Sequence, residues 1–243
     1  MYLLQMNMDE FLAALKRTDT VVIPIGMTEA HGHHCPLGTD VLIPRRFLEL
    51  LDARLGDELI ISPEIPYGHS WNLAPWPGTI DIPADVFGEY VYQVGKGLAR
   101  WGLKKVVLFN GHGGNIPALT IAMERLADLG LTVLLINWWL DYAAEIRTIC
   151  EGQGHAGEDE TSTVLAIDPG LVDMSRAQVN WNRAIANIKF PGISRQTLAH
   201  AQTGDATRAT AAKGEAIFAL LSDRMTELLQ QFRAGELIVQ GDQ

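Results

Sequence analysis

The sequence is poor in cysteine and in basic residues for a chain of 243 residues. Its two cysteines, Cys35 and Cys150, are too few and too far apart to form a disulfide framework, which fits a reducing compartment. Lys and Arg number 19 against 29 Asp and Glu, so the formal net charge is −10. Surfaces that bind nucleic acid or anionic membranes need clustered basic side chains, and this charge balance argues against both kinds of partner.

Long apolar runs are also missing. No run reaches the roughly 18 residues that a membrane-spanning helix requires, and the stretch from Met1 to Met8 lacks the basic start of an export signal. We therefore expect a cytoplasmic protein that acts on a small molecule. The composition, 47% hydrophobic and 20% charged, is that of an ordinary globular protein. A chain of this length can bury one complete core, so we predict a single domain over residues 1–243.

Short β-branched runs alternate with longer helical patterns, which is typical of an α/β fold. The predicted strands are Thr20 to Gly26, Glu58 to Ser62, Lys104 to Asn110 and Leu131 to Asn137. Their nearly continuous apolar character predicts a parallel sheet covered on both faces. The predicted helices are Val41 to Leu55, Ala84 to Trp101, Ile116 to Leu129 and Ala206 to Ala234. Together these patterns predict a three-layer α/β/α arrangement around a mainly parallel sheet.

A long segment from Pro63 to Pro83, rich in Pro, Gly and Trp, shows neither pattern. Long loops of this kind are usually functional, and we expect this one to wall a pocket. Four tryptophans could add an apolar wall over a cyclic substrate, although such residues more often serve as core or subunit contacts. They are Trp71, Trp76, Trp138 and Trp139.

Chemically active side chains are densest directly after the first predicted strand. The twelve residues from Glu29 to Asp40 contain three histidines, His31 among them, and two carboxylates. Loops at the carboxyl ends of parallel strands are where α/β proteins usually build their sites. Imidazole and carboxylate together suit Zn²⁺, Mn²⁺ or Fe²⁺, whereas Ca²⁺ takes oxygen ligands only. The alternative interpretation is a polar loop with solvated histidines.

A second strand-end loop, Asn-Gly-His-Gly-Gly-Asn, runs from Asn110 to Asn115 and carries His112. Its glycines allow a sharp turn and a close approach of the backbone to a ligand at a helix N-terminus. Taken alone, such a loop is equally well explained as a turn with a surface histidine. We interpret this loop as part of a site because of the histidines and carboxylates in the first cluster.

The third polar segment, from Gly154 to Ser162, holds one histidine and three consecutive acids. Acids at a helix start also stabilise the positive end of the helix dipole, and we favour that role for Asp159. A hydrolytic site needs a proton shuttle and ligands that complete the metal sphere. We therefore take His155 and Glu158 as candidate catalytic residues and Glu160 as a candidate metal ligand.

Together the three segments resemble the motifs of the creatininase family of amidohydrolases. The first is similar to the family's Glu-x-His with an Asp nine residues after that His, and the second to its Asn-Gly-His-Gly-Gly-Asn loop. The third is similar to the family's His-Ala-Gly-Glu-x-Glu-Thr-Ser. Pro77-Gly78-Thr79 and Gly204-Asp205 resemble two lesser motifs. The resemblance covers most of the chain and implies a creatininase-like fold, a homohexamer and hydrolysis of a small amide.

The resemblance also implies a binuclear site for two divalent ions, which could be zinc, manganese or iron. Glu29 and His112 would bind one ion, His31 the other, and Asp40 would bridge them. A water between the ions would be the nucleophile, because two cations lower its pKa toward neutrality and polarise the substrate carbonyl. His155 would carry a proton to the leaving group.

One position departs from this pattern. Creatininase carries a ligating Glu two residues beyond the histidine of the second motif, whereas this sequence has Gly114. We predict that Glu160 supplies the missing anionic ligand to the second ion. Ala30 and Cys35 differ from the Gln and Leu that are common in relatives, but neither change removes a ligand.

The predicted reaction is the opening of a small cyclic amide, and other functions stay open. The family includes a hydrolase that opens an oxidised inositol ring such as 3-dehydro-scyllo-inosose, and the polar loop from Gly68 to Leu73 suits a hydroxylated ring. A non-catalytic metal-binding relative would keep the ligands without turnover. A flavodoxin-like nucleotide binder would use the glycine-rich loop, although that loop contains no basic residue. His33, His34 and His69 are left outside the catalytic set.

Overall fold

The computed structural model describes residues 1–186 and 188–237, so Asn187 and residues 238–243 of the predicted domain lie outside the described part. In chain order the α-helices are α1 (Met8–Ala14), α2 (Thr39–Leu55), α3 (Ala84–Ala99), α4 (Ile116–Ala127), α5 (Trp138–Asp141), α6 (Ala143–Arg147), α7 (Glu158–Ile167), α8 (Ile193–Thr197) and α9 (Ala211–Ala234). The strands are β1 (Thr20–Ile25), β2 (Ile60–Ile61), β3 (Lys105–Asn110), β4 (Thr132–Asn137), β5 (Val179–Asn180) and β6 (Gly204–Asp205).

Four strands form a parallel sheet in the order β2-β1-β3-β4. At the carboxyl end of this sheet, Ile25 pairs with Asn110 and Asn110 pairs with Asn137. The loops that follow β1 and β3 therefore leave the sheet side by side. This register brings the first two polar segments to the same edge.

Helices cover both faces of the sheet and enclose two separate cores. Alternate residues of β3 point to opposite faces, as in any strand. Val107 and Phe109 join the core under α2, α7 and α9, whereas Val106 and Leu108 join the core under α1, α3 and α4. The predicted three-layer α/β/α fold is confirmed. No helix in the described part of the chain is both long and apolar enough to span a membrane.

Most predicted elements differ from the structure by one or two residues at an end, and the differences at β2 and at the last helix have identifiable causes. The edge strand β2 has two residues, because a 3₁₀ turn ends at Glu58 just before it. The last helix starts at Ala211 and not at Ala206, because Asp205 caps a short 3₁₀ turn by accepting from the N–H of Thr207. The side chain of Thr210 then caps α9 by accepting from the N–H of Lys213.

Helix α7 is buried over its first eight residues, although these include three acids. It packs against α9 at Gly214, where a Cβ would lie 2.0 Å from the carbonyl oxygen of Ser162. Only glycine allows the two helix backbones to approach this closely. The contact fixes α7 in the interior, with its N-terminus at the carboxyl edge of the sheet.

This contact gives a stability prediction. Gly214→Ala should lower the free energy of unfolding by about 2 kcal/mol, because the added methyl group forces α7 and α9 apart. The matched control is Gly97→Ala in α3, where a Cβ meets nothing within 4 Å. That change should raise stability by about 0.5–1 kcal/mol through helix propensity. Urea denaturation measures both, and a Gly214→Ala midpoint at or above that of the wild type would contradict the packing argument.

Candidate metal centre

The three polar segments meet at the carboxyl edge of the sheet. Glu29 and His31 follow β1, Asp40 lies in the first turn of α2, His112 follows β3 and Glu160 lies in the first turn of α7. All five side chains are buried, and none is more than 8% exposed. Ionisable groups are rarely buried at this density without partners or a bound ion.

Asp40 lies at the centre of the group. Its Oδ1 is 2.9 Å from Nε2 of His31, and its Oδ2 is 3.0 Å from Nδ1 of His112. Oε1 of Glu29 is 3.1 Å from Nδ1 of His112, and Oε2 of Glu160 is 3.6 Å from Nε2 of His31. One carboxylate is thus shared between two sets of ligand atoms.

These sets have the composition of two adjacent cation sites. Glu29, Asp40 and His112 form one set, and His31, Asp40 and Glu160 form the other, each with its ligand atoms within 4.8 Å of one another. Both oxygens of Glu29 and Oδ2 of Asp40 are buried without a well-directed hydrogen bond, although Nδ1 of His112 is close to them. Buried carboxylate oxygens in this state need a cation, so the residues present fit divalent ions.

Backbone carbonyls orient the histidines of the centre. Nδ1 of His31 donates to the carbonyl of Glu29 at 3.1 Å, and Nε2 of His112 donates to the carbonyl of His69 at 3.1 Å. A neutral imidazole that donates through one nitrogen presents a lone pair on the other. The other nitrogens are those that face Asp40, and such outer hydrogen bonds are typical of metal-binding histidines.

The local charges shift several pKa values away from those of free side chains. Burial lowers the pKa of His31, but Asp40, Glu160 and Glu29 outweigh burial and raise it to about 10. His112 is raised well above its usual pKa in the same way by Glu29 and Asp40. Burial raises the pKa of Glu160 well above that of a free Glu. Without ions, the centre therefore carries protons on atoms that would bind a metal.

His155 lies directly beside this centre. Its ring centroid is 4.2 Å from that of His31, and Nδ1 is 3.6 Å from Oε1 of Glu29. Nε2 donates to the carbonyl of Ala30 at 2.9 Å, so Nδ1 carries the free lone pair. Burial and the neighbouring His31 lower the pKa of His155 to about 4. His155 is therefore a neutral proton acceptor that borders the cluster.

A cavity of about 720 Å³ opens above the centre, and Asp40, His112 and Glu160 contribute to its lining. The loop from His69 to Leu73 forms part of its wall, which agrees with the prediction for the segment from Pro63 to Pro83. Of the four tryptophans, Trp71 and Trp139 line the cavity, whereas Trp138 is fully buried in the core.

Comparison with known proteins identifies the family. The family model described as "Creatininase: Creatinine amidohydrolase" matches residues 4–229. The chain belongs to the creatininase family. The solved structure described as "Creatininase Mn" superimposes with a TM-score of 0.83 at 25% identity, covering 96% of this chain and 98% of that one.

Relatives in the creatininase family carry different activities. The mycofactocin precursor peptide peptidase of Mycobacterium tuberculosis (strain CDC 1551 / Oshkosh) is 34% identical over 216 residues, covering 84% of this chain and 82% of the relative. The 3-dehydro-scyllo-inosose hydrolase of Thermotoga maritima is 30% identical over 177 residues, covering 69% of this chain and 56% of the relative. Each acts on its own substrate, so family membership indicates a hydrolase and leaves the substrate open.

Gly114 is the position at which the family resemblance led us to expect a ligating Glu. A Cβ at this position would lie 2.2 Å from the carbonyl oxygen of His69 and 2.4 Å from Nε2 of His112. A carboxylate side chain does not fit the loop as it is folded here. Glu160, whose carboxylate reaches His31, is placed where it can serve as the anionic ligand that we predict.

The candidate catalytic residue Glu158 does not join the centre. Its Oε2 accepts from the N–H of Gly152 at 2.6 Å, and its Oε1 pairs with Lys213 of α9. Positions 158 and 160 are about 200° apart around a helix, so their side chains point to opposite sides of α7. We correct the assignment of Glu158: it forms a buried ion pair that holds the segment before His155 against α9.

Other cavity residues were missed from the sequence. Asp159 is 2% exposed, lines the cavity and accepts from the N–H of Gly154 at 3.1 Å. Burial raises its pKa to about 6. The sequence did contain a signal for Asp159. If a helix directs Glu160 toward the site, the preceding residue lies about 100° away around the helix, on a face that borders the site. His69 and Ser70 also line the cavity. Their loop was predicted to wall a pocket, but it has no periodic pattern that could have placed the individual side chains.

His34 and Cys35 lie beside the centre without joining it. Nε2 of His34 is 3.0 Å from Oγ1 of Thr161, and burial lowers the pKa of this histidine to about 4. Burial raises the pKa of the Cys35 thiol to about 12, which makes it a poor nucleophile at neutral pH. These placements agree with leaving both residues out of the catalytic set.

The protonated state that the centre has without ions predicts proton release on metal binding. His31, with a pKa of about 10, and His112 both carry protons at neutral pH, and a cation must displace them. Zn²⁺ binding at about pH 7 should release at least two protons per chain, and the affinity should rise as the pH rises. Calorimetry in buffers of different ionisation enthalpy counts the protons.

The control for this measurement is His34→Gln. Its pKa of about 4 leaves His34 neutral, so the variant should release the same number of protons as the wild type. Release of fewer than one proton by the wild-type chain would contradict the proposed ligand pairs.

The close packing at Gly114 predicts a second effect. Gly114→Ala should destabilise the chain by about 2 kcal/mol and weaken Zn²⁺ binding, because the methyl group displaces His112. Gly113→Ala is the matched control, since its Cβ would meet only Cζ2 of Trp139 at 3.8 Å, which is an ordinary contact. Thermal melts with and without Zn²⁺ separate the two effects. Equal melting temperatures for the two variants would show that the loop has room for a side chain.

Proposed function

We propose that this creatininase-family member is a metal-dependent hydrolase that cleaves the C–N bond of an amide. The observation that carries the proposal is the pair of ligand sets that share Asp40 beneath an open cavity, with a neutral His155 beside them. Two divalent ions at this centre would lower the pKa of a bound water toward neutrality and polarise the substrate carbonyl. The ligands would be Glu29, Asp40 and His112 for one ion and His31, Asp40 and Glu160 for the other.

The protein's own groups divide the remaining work. Asp40 and the histidines keep the centre rigid, because each histidine is held through its second nitrogen. His155 presents Nδ1 to the centre, so it can accept a proton from the attacking water and return it to the departing amine. Its low pKa keeps it in the accepting form at neutral pH.

The size of the cavity bears on the substrate. About 720 Å³ falls within the range of 300–1,000 Å³ that is typical of small-molecule sites. A single five-membered ring would fill a small part of it. The similarity to a precursor peptide peptidase supports an amide that extends beyond one small ring. We therefore widen the predicted small cyclic amide to include linear amides.

A second candidate is hydrolytic opening of a cyclic ketone at a C–C bond. The 30% identity to 3-dehydro-scyllo-inosose hydrolase favours it, as do the polar groups of His69, Ser70 and Asn72 on the cavity wall. The same centre would polarise a ketone carbonyl. The substrate panel below separates the two candidates.

The test begins with protein purified without chelator. Elemental analysis should give about two ions per chain, and the holoenzyme should hydrolyse amides from a panel of lactams, short peptides and cyclic polyol ketones. Asp40→Asn should lose both the metal and the activity, because Asp40 belongs to both ligand sets. Asp85→Asn is the matched control, since Asp85 is also an acid in the first turn of a helix but lies in α3.

His155→Ala separates an enzyme from a non-catalytic metal-binding relative. The variant should keep its metal and lose about 10²–10⁴-fold in kcat, as expected for a lost general base. A chain that binds no zinc, manganese or iron after reconstitution would overturn the proposal. Turnover of the ketones alone would establish the second candidate.

A further inference from the structure

The cavity wall includes a single lysine or arginine among the described residues, Lys189. Its Nζ donates to Oδ1 of Asn72 at 2.8 Å and lies 5.0 Å from the ring centroid of Trp71. Both neighbours belong to the loop that walls the cavity. Both are uncharged, so neither neighbour neutralises the charge of this exposed lysine.

Two other lysines of the chain are neutralised by acids. Lys105 is 3.2 Å from Asp19, and Lys213 pairs with the buried Glu158. Within residues 1–186 and 188–237, no carboxylate lies within 4.0 Å of Nζ of Lys189. A basic group that borders a cavity without an acidic partner is available to an anionic group of a ligand.

The charge of the whole chain makes this local cation important. With a net charge of −10, the protein repels anions at long range unless its site supplies a positive potential. Two divalent ions in the proposed centre would exceed the charge of the three carboxylates Glu29, Asp40 and Glu160. The floor of the cavity would then not repel a negative group held by Lys189 on the wall.

We propose that Lys189 binds a carboxylate of the substrate, so that the substrate class is an amide that carries a free carboxylate apart from the scissile bond. This inference rests on the proposed amide hydrolysis and names its substrate class. The scissile carbonyl would lie over the metal centre, the apolar part of the substrate against Trp71 and Trp139, and the carboxylate at Lys189. N-acylated amino acids and short peptides with a free carboxyl terminus belong to this class.

A purely structural role for Lys189 would be to fasten the loop. Arg195 provides the comparison, because its guanidinium lies 5.1 Å from the ring centroid of Trp76 and donates to the carbonyl of Pro75 at 3.2 Å. Arg195 fastens the same loop but does not line the cavity. Arg195→Met is therefore a matched control that removes a fastening contact without removing a charge from the cavity wall.

The experiment measures binding of a matched pair of probes, N-acetylphenylalanine and its amide, to the metal-loaded full chain. Wild-type protein should bind the carboxylate probe about tenfold more tightly than the amide, the effect of one charge-assisted contact. Lys189→Met should abolish this preference, Lys189→Arg should keep it, and Arg195→Met should leave it unchanged. Added salt should reduce the preference in the wild type.

A preference that survives in Lys189→Met would overturn the inference, because the metal centre alone would then select the carboxylate. Equal affinities for both probes in the wild type would overturn it as well. Parallel turnover of peptides that end in a carboxylate or a carboxamide keeps the two proposals separate. Hydrolysis without a Lys189-dependent preference defeats the inference alone. A Lys189-dependent preference without any amide hydrolysis defeats the proposed function and the amide substrate class, and leaves Lys189 as a carboxylate-binding residue only.

Discussion

The site depends on one constraint, the position of Asp40. The ends of β1 and β3 both press against the backbone of this residue, since a Cβ on Gly26 would lie 2.6 Å from its carbonyl oxygen and a Cβ on Gly111 would lie 2.1 Å from it. Glycine at both places allows α2 to begin between the two strand ends. The carboxylate then reaches His31 on one side and His112 on the other.

This arrangement buries several charged groups. Local interactions offset the free-energy cost of burying them. Asp40 lies in the first turn of α2 and Glu160 in that of α7, where helix dipoles favour negative charge. His31 and His112 hold the pKa of Asp40 well below its usual range, although burial alone would raise it. Protons and metal ions therefore compete for the same ligand atoms. A site of this kind binds cations strongly because it is poorly satisfied without them.

Much of the centre could be predicted from the sequence, because regular elements place its ligands. Parallel strands in register bring their carboxyl ends together, so Glu29, His31 and His112 had to meet once β1 and β3 were recognised. The resemblance to the creatininase family then indicated Asp40, and the departure from that family at Gly114 led to the prediction of Glu160. The geometry does not support the assignment of Glu158, which was made without regard to the helical rotation of α7. Asp159 was left out because an acid at a helix start is also explained by the helix dipole.

The walls of the cavity were harder to predict. His69, Ser70 and Lys189 lie in segments whose conformation follows from particular contacts and not from a repeating pattern. The N–H of His69 donates to Asn115 and its carbonyl accepts from His112, so the loop is fixed by the site that it covers. No periodic pattern in the sequence predicts such contacts. Element lengths and strand register predict the floor of the site far better than its walls.

The ligands at the floor of the cavity and the loop of its wall also differ in how much buried packing supports them. The ligands stand on α2, α7 and two central strands, which share the large core with Phe47, Phe109 and Ile217. Beneath the wall loop there is only a small cluster of Ala30, Leu73 and Ala201. A substitution in the wall disturbs few buried contacts, whereas one in the floor disturbs the core.

This difference in packing explains how one metal centre can serve several substrates. In the proposed mechanism, the chemistry of water activation belongs to the floor and is fixed together with the fold. Recognition belongs to loops that can change without unfolding the protein. The creatininase-family relatives, which include a peptide peptidase and an inosose hydrolase, fit that division of roles. The ligand residues therefore indicate which kind of reaction the site can perform. The residues of the cavity wall determine which substrate undergoes that reaction.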